Sequence, residues 1–539
     1  MKRLFNWELS PTQLMVLELA VITVFACVPL FVNVPFRDNI YLTWEGAYRM
    51  YQGQMPFVDF GLPMGYAFWL MPALSFKLFG PYFFSLIKIQ VVINIVSGLA
   101  FMSILRSFTK NYGLIAASTF LYVVSYSFFN YWPWYNHTVI VFEFVAFALL
   151  LSVLKQDDSR GWMSIVLIVL SALFAFLSFF TKQDGGAFAV LISGLLLLYY
   201  TVISRQWIPI VVYGLSFATI ACAFILPLVP HEFGYWFNYG QEPHYSRVNV
   251  LDLLGVIFGD SSFIKFYLLL IVLIVMFKFS QGTSWVKNKN EGLFLLLTLG
   301  VLGQASVLQV TSYVPVDGNI YFHSFMFYYI LSNIKVDVNF SKVKFLLPLV
   351  VLIFVWWSGV YWKYAGRIFS NLLAPKETSK NVVSMSSYTN VADTTVLDKS
   401  NWSISPEKAF DKIKLPPECI DAIERLKQWK VTSGIENPKV LNMSELTPLA
   451  DIMGFELEKG MPLWYHLNVA MFDRELKKIE SRISNDYYDM VIFEFIPQLN
   501  NFYPFSTREL LSKEYQLLFT FQAPREYTTE FIEVYVKKD

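Results

Sequence analysis

The sequence predicts a polytopic α-helical membrane protein of about eleven spans, followed by a C-terminal extracytoplasmic α/β domain. Three observations predict it. Of 539 residues, 55% are hydrophobic and only 15% charged, where soluble chains carry about 25% charge. The charge is also uneven: 45 of the 164 residues from 376 to 539 are Asp, Glu, Lys or Arg, against 38 of the first 375. Apolar runs of about twenty residues recur in the first part, the length that crosses hydrocarbon with every backbone polar group paired internally. These features exclude a purely soluble chain and a disordered one. A net charge of +1 offers no basic footprint for nucleic acid. Cys27, Cys222 and Cys419 stand far apart, which excludes a disulfide scaffold and a cysteine zinc site.

The predicted spans are 12–33, 82–105, 112–130, 138–154, 163–181, 187–204, 207–229, 263–279, 292–310, 320–334 and 345–363. The stretch 66–80 is apolar but short, with Pro63 before it and Pro72 inside it. It reads as a helix lying at, or re-entering, the membrane surface. Cations mark the cytoplasmic side of a membrane protein. With the N-terminus cytoplasmic, thirteen Lys and Arg fall in the short cytoplasmic segments. Six fall opposite: Arg37, Arg49, Lys77, Lys182, Arg247 and Lys265. An odd number of spans then places the C-terminal domain outside the cytoplasm. The first apolar run is too long for a cleavable signal peptide and reads as a retained span.

The organisation follows. Residues 1–375 form the membrane domain, with a first outer loop at 34–81. Residues 376–401, rich in Ser, Thr and Asn, read as a linker. Residues 402–539 form the α/β domain, with candidate strands at Lys439–Met443, Met490–Phe495, Tyr515–Phe521 and Phe531–Val536 and a helical run at Val469–Ile483. That domain holds no Gly-rich phosphate loop, nucleophile elbow or metal motif.

The first outer loop carries Asp38, Glu45 and Asp59. Residues 40–52 lack Pro and contain one Gly, which suits a short amphipathic helix; Gly53, Pro56 and Gly61 then punctuate the chain. An acid at the end of a span can meet a lipid headgroup and a water-borne acceptor together. Several segments here resemble the GT-C glycosyltransferases. They are Asp38-Asn39 with Tyr41, AYRMYQGQMPFVDF ending at Phe60, LSFKLFG at 74–80, WYNHT at 134–138 and TKQ at 181–183. The resemblance is to the group of protein O-mannosyltransferases, lipid A aminoarabinose transferases and lipopolysaccharide-core transferases, over residues 1 to about 365. Asn39 stands where that group often has a second acid. Residues 131–137 offer Asn136 and His137 but no acid, so a two-carboxylate metal site lacks a ligand.

The resemblance implies a GT-C-like fold and a sugar donor linked to polyprenyl phosphate. The acceptor would be a lipid, glycan or protein on the outer face of the cytoplasmic membrane, reached with inversion, among membrane lipids as partners. No cofactor is assigned, and a divalent cation stays open. A phosphate is already a good leaving group. The reaction therefore needs a base for the acceptor hydroxyl and fixed positive charge at the phosphate, unlike glycoside hydrolysis with its two carboxylates.

Asp38 is the candidate base and Asp59 its candidate assistant. Lys182, Arg49, Arg247 and His137 are the candidate donor-phosphate contacts. Tyr41, Tyr135, Asn136 and Gln183 are the candidate substrate contacts. Lys182 stands out because it lies between apolar runs, where a lone ammonium is costly, with Gly185 and Gly186 free to bring backbone close to a ligand. Structural readings stand beside each role. Asp38 would cap a helix, Asp59 would hold a turn, Asp184 would bridge Lys182, Arg49 would be an exposed helix residue and His137 an interface residue. His231, His244 and His323 make no metal-ligand spacing. The loop 230–247 is dense in Tyr, Phe and Trp, which suits sugar stacking, isoprenoid contact or an aromatic belt. The alternative function is a transporter or lipid flippase, whose ionisable residues would sit at mid-membrane; the candidates here gather at span ends. A membrane glycan polymerase or ligase would rely on outer-loop arginines instead.

Overall fold

Each of the eleven apolar windows holds a helix among its described residues. The computed structural model describes residues 7–37, 40–127, 131–156, 161–240, 250–282, 288–311, 320–334, 338–357, 396–397, 399–468, 470–497 and 502–538. The first helix, α1 (Pro11–Cys27), starts with Pro at its first position and a reciprocal cap: Ser10 Oγ accepts from Gln13 N and Gln13 Oε1 from Ser10 N. Strand β1 (Val34–Pro35), helix α2 (Ile40–Tyr51), strand β2 (Phe60–Gly61) and helix α3 (Ala67–Phe79) make up the first loop. Then come α4 (Phe83–Phe108), α5 (Tyr112–Tyr122), α6 (Tyr135–Leu154), α7 (Trp162–Phe179), α8 (Gln183–Ser204) and α9 (Ile208–Ile225). A short α10 (Val250–Gly255) precedes α11 (Ser262–Ser280), α12 (Lys289–Thr311), α13 (Ile320–Asn333) and α14 (Val343–Trp356).

Among the described residues eight helices are long and apolar enough to cross a membrane. Helices α5, α13 and α14 are shorter. Backbone contacts fix which end each helix reaches. At one end Leu9 N donates to Ser341 O, Val343 N to Trp7 O, and Lys289 Nζ to Gln156 O. At the other, Val34 pairs with Ile413 and Ala67 N donates to Phe180 O. Helix α1 starts beside the first of these ends, at Leu9, and the chain after it reaches the second at Val34. Residue 7 and the C-terminal α/β region therefore lie at opposite ends of the bundle. Helix α3 begins against Phe180 and leads to Tyr82, whose ring carries the Lys408 ammonium 4.5 Å from its centre. Both its ends lie at one end of the bundle, so it does not cross. Leu70, Leu74 and Leu78 form its outward stripe.

Helix α6 is the central post, packed on α4, α7 and α8. Serines tie α7 to it through Ser171 Oγ to Ala146 O (2.9 Å) and Ser178 Oγ to Val139 O (2.8 Å), small polar residues letting apolar helices approach. Helices α9 and α11 bury little and stand at the periphery.

The C-terminal region contains β3 (Ser403–Ile404), β4 (Ile413–Leu415), α15 (Pro417–Ser433), β5 (Val440–Met443), α16 (Leu449–Met453), β6 (Met461–Pro462), α17 (Asp473–Ser484), β7 (Met490–Phe495), α18 (Phe505–Glu514), β8 (Tyr515–Gln522) and β9 (Phe531–Lys537). The main sheet runs β5-β7-β9-β8, with β5 and β7 parallel and the other pairs antiparallel. All four expected strands are present within a residue of their bounds. The helix expected from Val469 starts at Asp473, where the Glu475 carboxylate accepts from Phe472 N (3.0 Å). Most of the expected linker 376–401 lies outside the described residues.

Candidate active site

The first loop and the C-terminal region share backbone. Strand β1 pairs in parallel with β4, and β2 with β6. Helix α2 is buried along nearly its whole length. Thr43 Oγ1 donates to Pro133 O (2.8 Å), Trp44 Nε1 to Pro81 O (3.1 Å), and Trp69 Nε1 to Leu42 O (3.0 Å). These bonds fix α2 against the start of α6, the start of α4 and α3.

Two predicted residues belong to this seam. Arg49 is 1% exposed. Its guanidinium donates to Glu45 (3.0 Å), Gln54 Oε1 (2.9 Å) and the Glu458 carbonyl (3.0 Å). Gln54 Nε2 donates in turn to Leu457 O (2.7 Å). The reading of Arg49 as an exposed helix residue is corrected, and its donors are engaged in docking the C-terminal region. Burial lifts the pKa of Glu45, and Arg49 opposes that shift. Asp59 accepts from Met55 N (2.8 Å) and pairs with Lys459 (3.0 Å). Partial burial pulls its pKa up, but the Met55 N–H, Lys459 and Arg49 together leave it below the ordinary value.

A second group gathers where α6 begins and α7 turns into α8. Tyr135, Asn136, His137, Lys182, Gln183 and Asp184 are all half-buried there. The Lys182 ammonium pairs with Asp184 (3.0 Å) and lies 5.7 Å from the centre of the Tyr135 ring. Burial lowers the pKa of Lys182, and Asp184 partly restores it. Gln183 Nε2 donates to Trp236 O (2.8 Å). Tyr41, in the first turn of α2, is in electrostatic reach of Tyr135 and of Glu445 and Arg525 from the C-terminal region. Its hydroxyl pKa is raised by burial first and Glu445 second, with Arg525 opposing.

The structure thus brings together Tyr41, Tyr135, Asn136, His137, Lys182 and Gln183, and sets Arg49 and Asp59 apart at the seam. Asp38 and Arg247 lie outside the described residues. The two glycines after Asp184 serve packing instead of ligand approach. A Cβ on Gly186 would fall 2.1 Å from Phe179 Cα, and one on Gly185 3.0 Å from Val139. Tyr235 and Trp236 of the aromatic loop turn inward, Trp236 against Phe179, Phe180 and Phe233. Among the described residues no group of three His, Cys, Asp or Glu is placed to hold a metal ion.

Two features escaped the sequence reading. In the C-terminal region Arg525 is buried between Glu494 (2.6 Å) and Glu445 (2.7 Å), and Glu445 N donates to Glu494 (2.7 Å). Arg525 also lies over the Phe502 ring, which packs edge-on against Tyr41. An acid inside the apolar run MVIFEF was the visible signal. The second feature is a pair of acids within spans, Glu18 and Glu143, both fully buried. Neither is among the candidate residues, which gather at span ends.

No family model matches this chain, and no curated protein matches it in sequence. Among solved structures, ArnT from Cupriavidus metallidurans in the apo state aligns over 96% of this chain and 97% of its own, at 11% identity and a TM-score of 0.52. The same protein bound to undecaprenyl phosphate aligns over the same shares at 10% identity and a TM-score of 0.49.

Proposed function

We propose that this chain, whose fold is the GT-C fold of a lipid A aminoarabinose transferase, moves a sugar from a polyprenyl-phosphate carrier to an acceptor at the membrane face where its first loop and C-terminal region meet. One observation carries the reading. On a fold matched end to end, a half-buried cation, Lys182, pairs with Asp184 and lies over Tyr135, which is in electrostatic reach of Tyr41 on the helix that follows Asp38. The chemistry needs a base, positive charge at the phosphate and a polar lining for the sugar. Asp38 takes the proton of the acceptor hydroxyl as the sugar–phosphate bond breaks. Lys182 faces the departing phosphate, oriented by Asp184, and Arg247 supplies a second cation. His137 joins them at the phosphate, and Tyr41, Tyr135, Asn136 and Gln183 line the sugar side. Single displacement inverts the anomeric carbon.

The cation bias makes the N-terminal end cytoplasmic, which puts residues 402–539 on the outer face of the cytoplasmic membrane as a separate domain over the membrane domain 1–375. Lipid, glycan and protein acceptors all remain within this chemistry. The test uses the purified protein in lipid with a panel of radiolabelled prenyl-phosphate sugars. Label moves to an acceptor with the wild type and stays on the carrier with Asp38→Asn at an unchanged melting temperature. Full activity of Asp38→Asn overturns the assignment of the base. Vesicle uptake of the lipid-linked sugar with no transfer overturns the enzyme reading in favour of transport, the reading that the buried acids Glu18 and Glu143 favour.

A further inference from the structure

The two acids inside the bundle are handled differently. Glu18 of α1 faces Arg106 of α4, whose Nη2 donates to it at 2.8 Å. Glu143 of α6 is fully buried, and no cation opposes it among the described residues. Its neighbour is the side-chain amide of Gln304 on α12, and its other carboxyl oxygen has no partner among the described residues. Tyr321 of α13 lies close enough to interact electrostatically with it, and its hydroxyl is likewise unpartnered there. An ionised carboxylate without a counter-charge in a membrane interior costs far more than taking up a proton. A protonated carboxyl both donates and accepts, as an amide does.

Gln304 Nε2 stands between two acceptors. Besides Glu143, its Nε2 reaches the Gly185 carbonyl at 3.5 Å. Gly185 is in the first turn of α8, and its own N–H donates to Asp184 Oδ1 (2.7 Å). Asp184 holds Lys182. A continuous set of polar contacts therefore runs from α6 through α12 to the first turn of α8.

We propose that Glu143 is a positioning residue, an uncharged carboxylic acid that acts through Gln304 on the first turn of α8 and so fixes the Lys182–Asp184 pair. The proposal rests on the reading that this pair serves a lipid-linked donor. Glu143 touches no substrate. Its effect travels through backbone, and displacing a reacting or binding group by about an ångström costs up to about 100-fold in rate.

The test combines kinetics with a spectroscopic readout. Glu143→Gln keeps a neutral hydrogen-bonding group and holds kcat/KM for the prenyl donor within about 3-fold. Glu143→Leu lowers it about 10- to 100-fold. In a Lys182→Met background, Glu143→Leu adds less than about 2-fold, because residues acting through one another are not additive. Gln304→Met supplies the same comparison if Glu143→Leu does not fold. Equal damage by Glu143→Gln and Glu143→Leu overturns the proposal, as does an additive effect in the Lys182→Met background. The infrared difference between wild type and Glu143→Gln should show a carboxylic-acid C=O band, and its absence overturns the uncharged state. That band is read without turnover, so a protein that transfers no sugar fails the functional reading while the state of Glu143 is still decided.

Discussion

The two ends of the bundle are built on different principles. The end near residue 7 is closed by neighbours in space with short reach: Leu9 to Ser341, Asn339 Nδ2 to Glu8 Oε1 (2.9 Å), and Lys278 to Glu291 (2.6 Å), the last a partly exposed pair. The opposite end is closed by a whole folded region, through two short parallel strand pairs and the buried Arg49. Beneath that closure the chain keeps half-buried polar side chains at the mouths of α6 and α8. The lesson is that two arrangements divide one end: the seam holds the cover, and the half-buried polar group around Lys182 stands apart from it.

The largest effect expected from breaking this division is on Lys182. Lys182→Met should lower transfer about 100-fold or more, the loss typical of removing one charge-stabilising donor, while Lys278→Met at the other end leaves it within about 2-fold. Initial rates with labelled donor decide it. Next is Arg49→Met, which leaves Glu45 buried without its partner and should cost about 3–5 kcal/mol. The loss should appear as a lower melting temperature and faster proteolysis of the C-terminal region. Gly65→Ala sharpens the comparison from the backbone side. Its Cβ would fall 1.9 Å from the Phe180 carbonyl, so the turn bearing Lys182 must move. Transfer should fall about 10-fold, with a stability loss of about 1–3 kcal/mol.

Asp59 gives a smaller effect with a definite sign. Its folded pKa is below the ordinary value, so its contribution is complete above the unfolded value of about 3.9 and is lost as pH falls through the folded one. The melting difference between wild type and Asp59→Asn should be full at neutral pH, begin to shrink below about pH 4 and vanish only once the pH is under the lower folded value. Smallest is Glu232→Ala, which removes an exposed pair with Arg474 (3.0 Å) and should change stability by less than about 1 kcal/mol.

Much of this architecture is legible in the sequence because it is local. Apolar length gives the crossings, and continuous or alternating apolar runs give the strands. The α3 segment is readable as non-crossing from its length and from Pro72. The order of motifs is enough to gather Tyr41, Tyr135 and Lys182 at one end. Arg49 shows where local reading stops. Its Glu45 partner four residues earlier is visible on a helix, but the Glu458 carbonyl is a long-range contact that no periodicity announces. Arg525 between Glu445 and Glu494 is hidden for the same reason. Glu143 is a different case. A lone acid in VFEFVAF is conspicuous in the sequence, and only the packing of α12 against α8 reveals that Gln304 connects it to the Lys182 turn.

The pairing of Val34 with Ile413 has a consequence for biogenesis. The ribosome delivers the second partner long after the first. At ~5–20 residues per second the gap is on the order of half a minute, during which every later helix must insert while the opening segment waits uncovered. The cover thus arrives after the helices it closes, and a chain stalled before residue 413 would be a bundle without a lid.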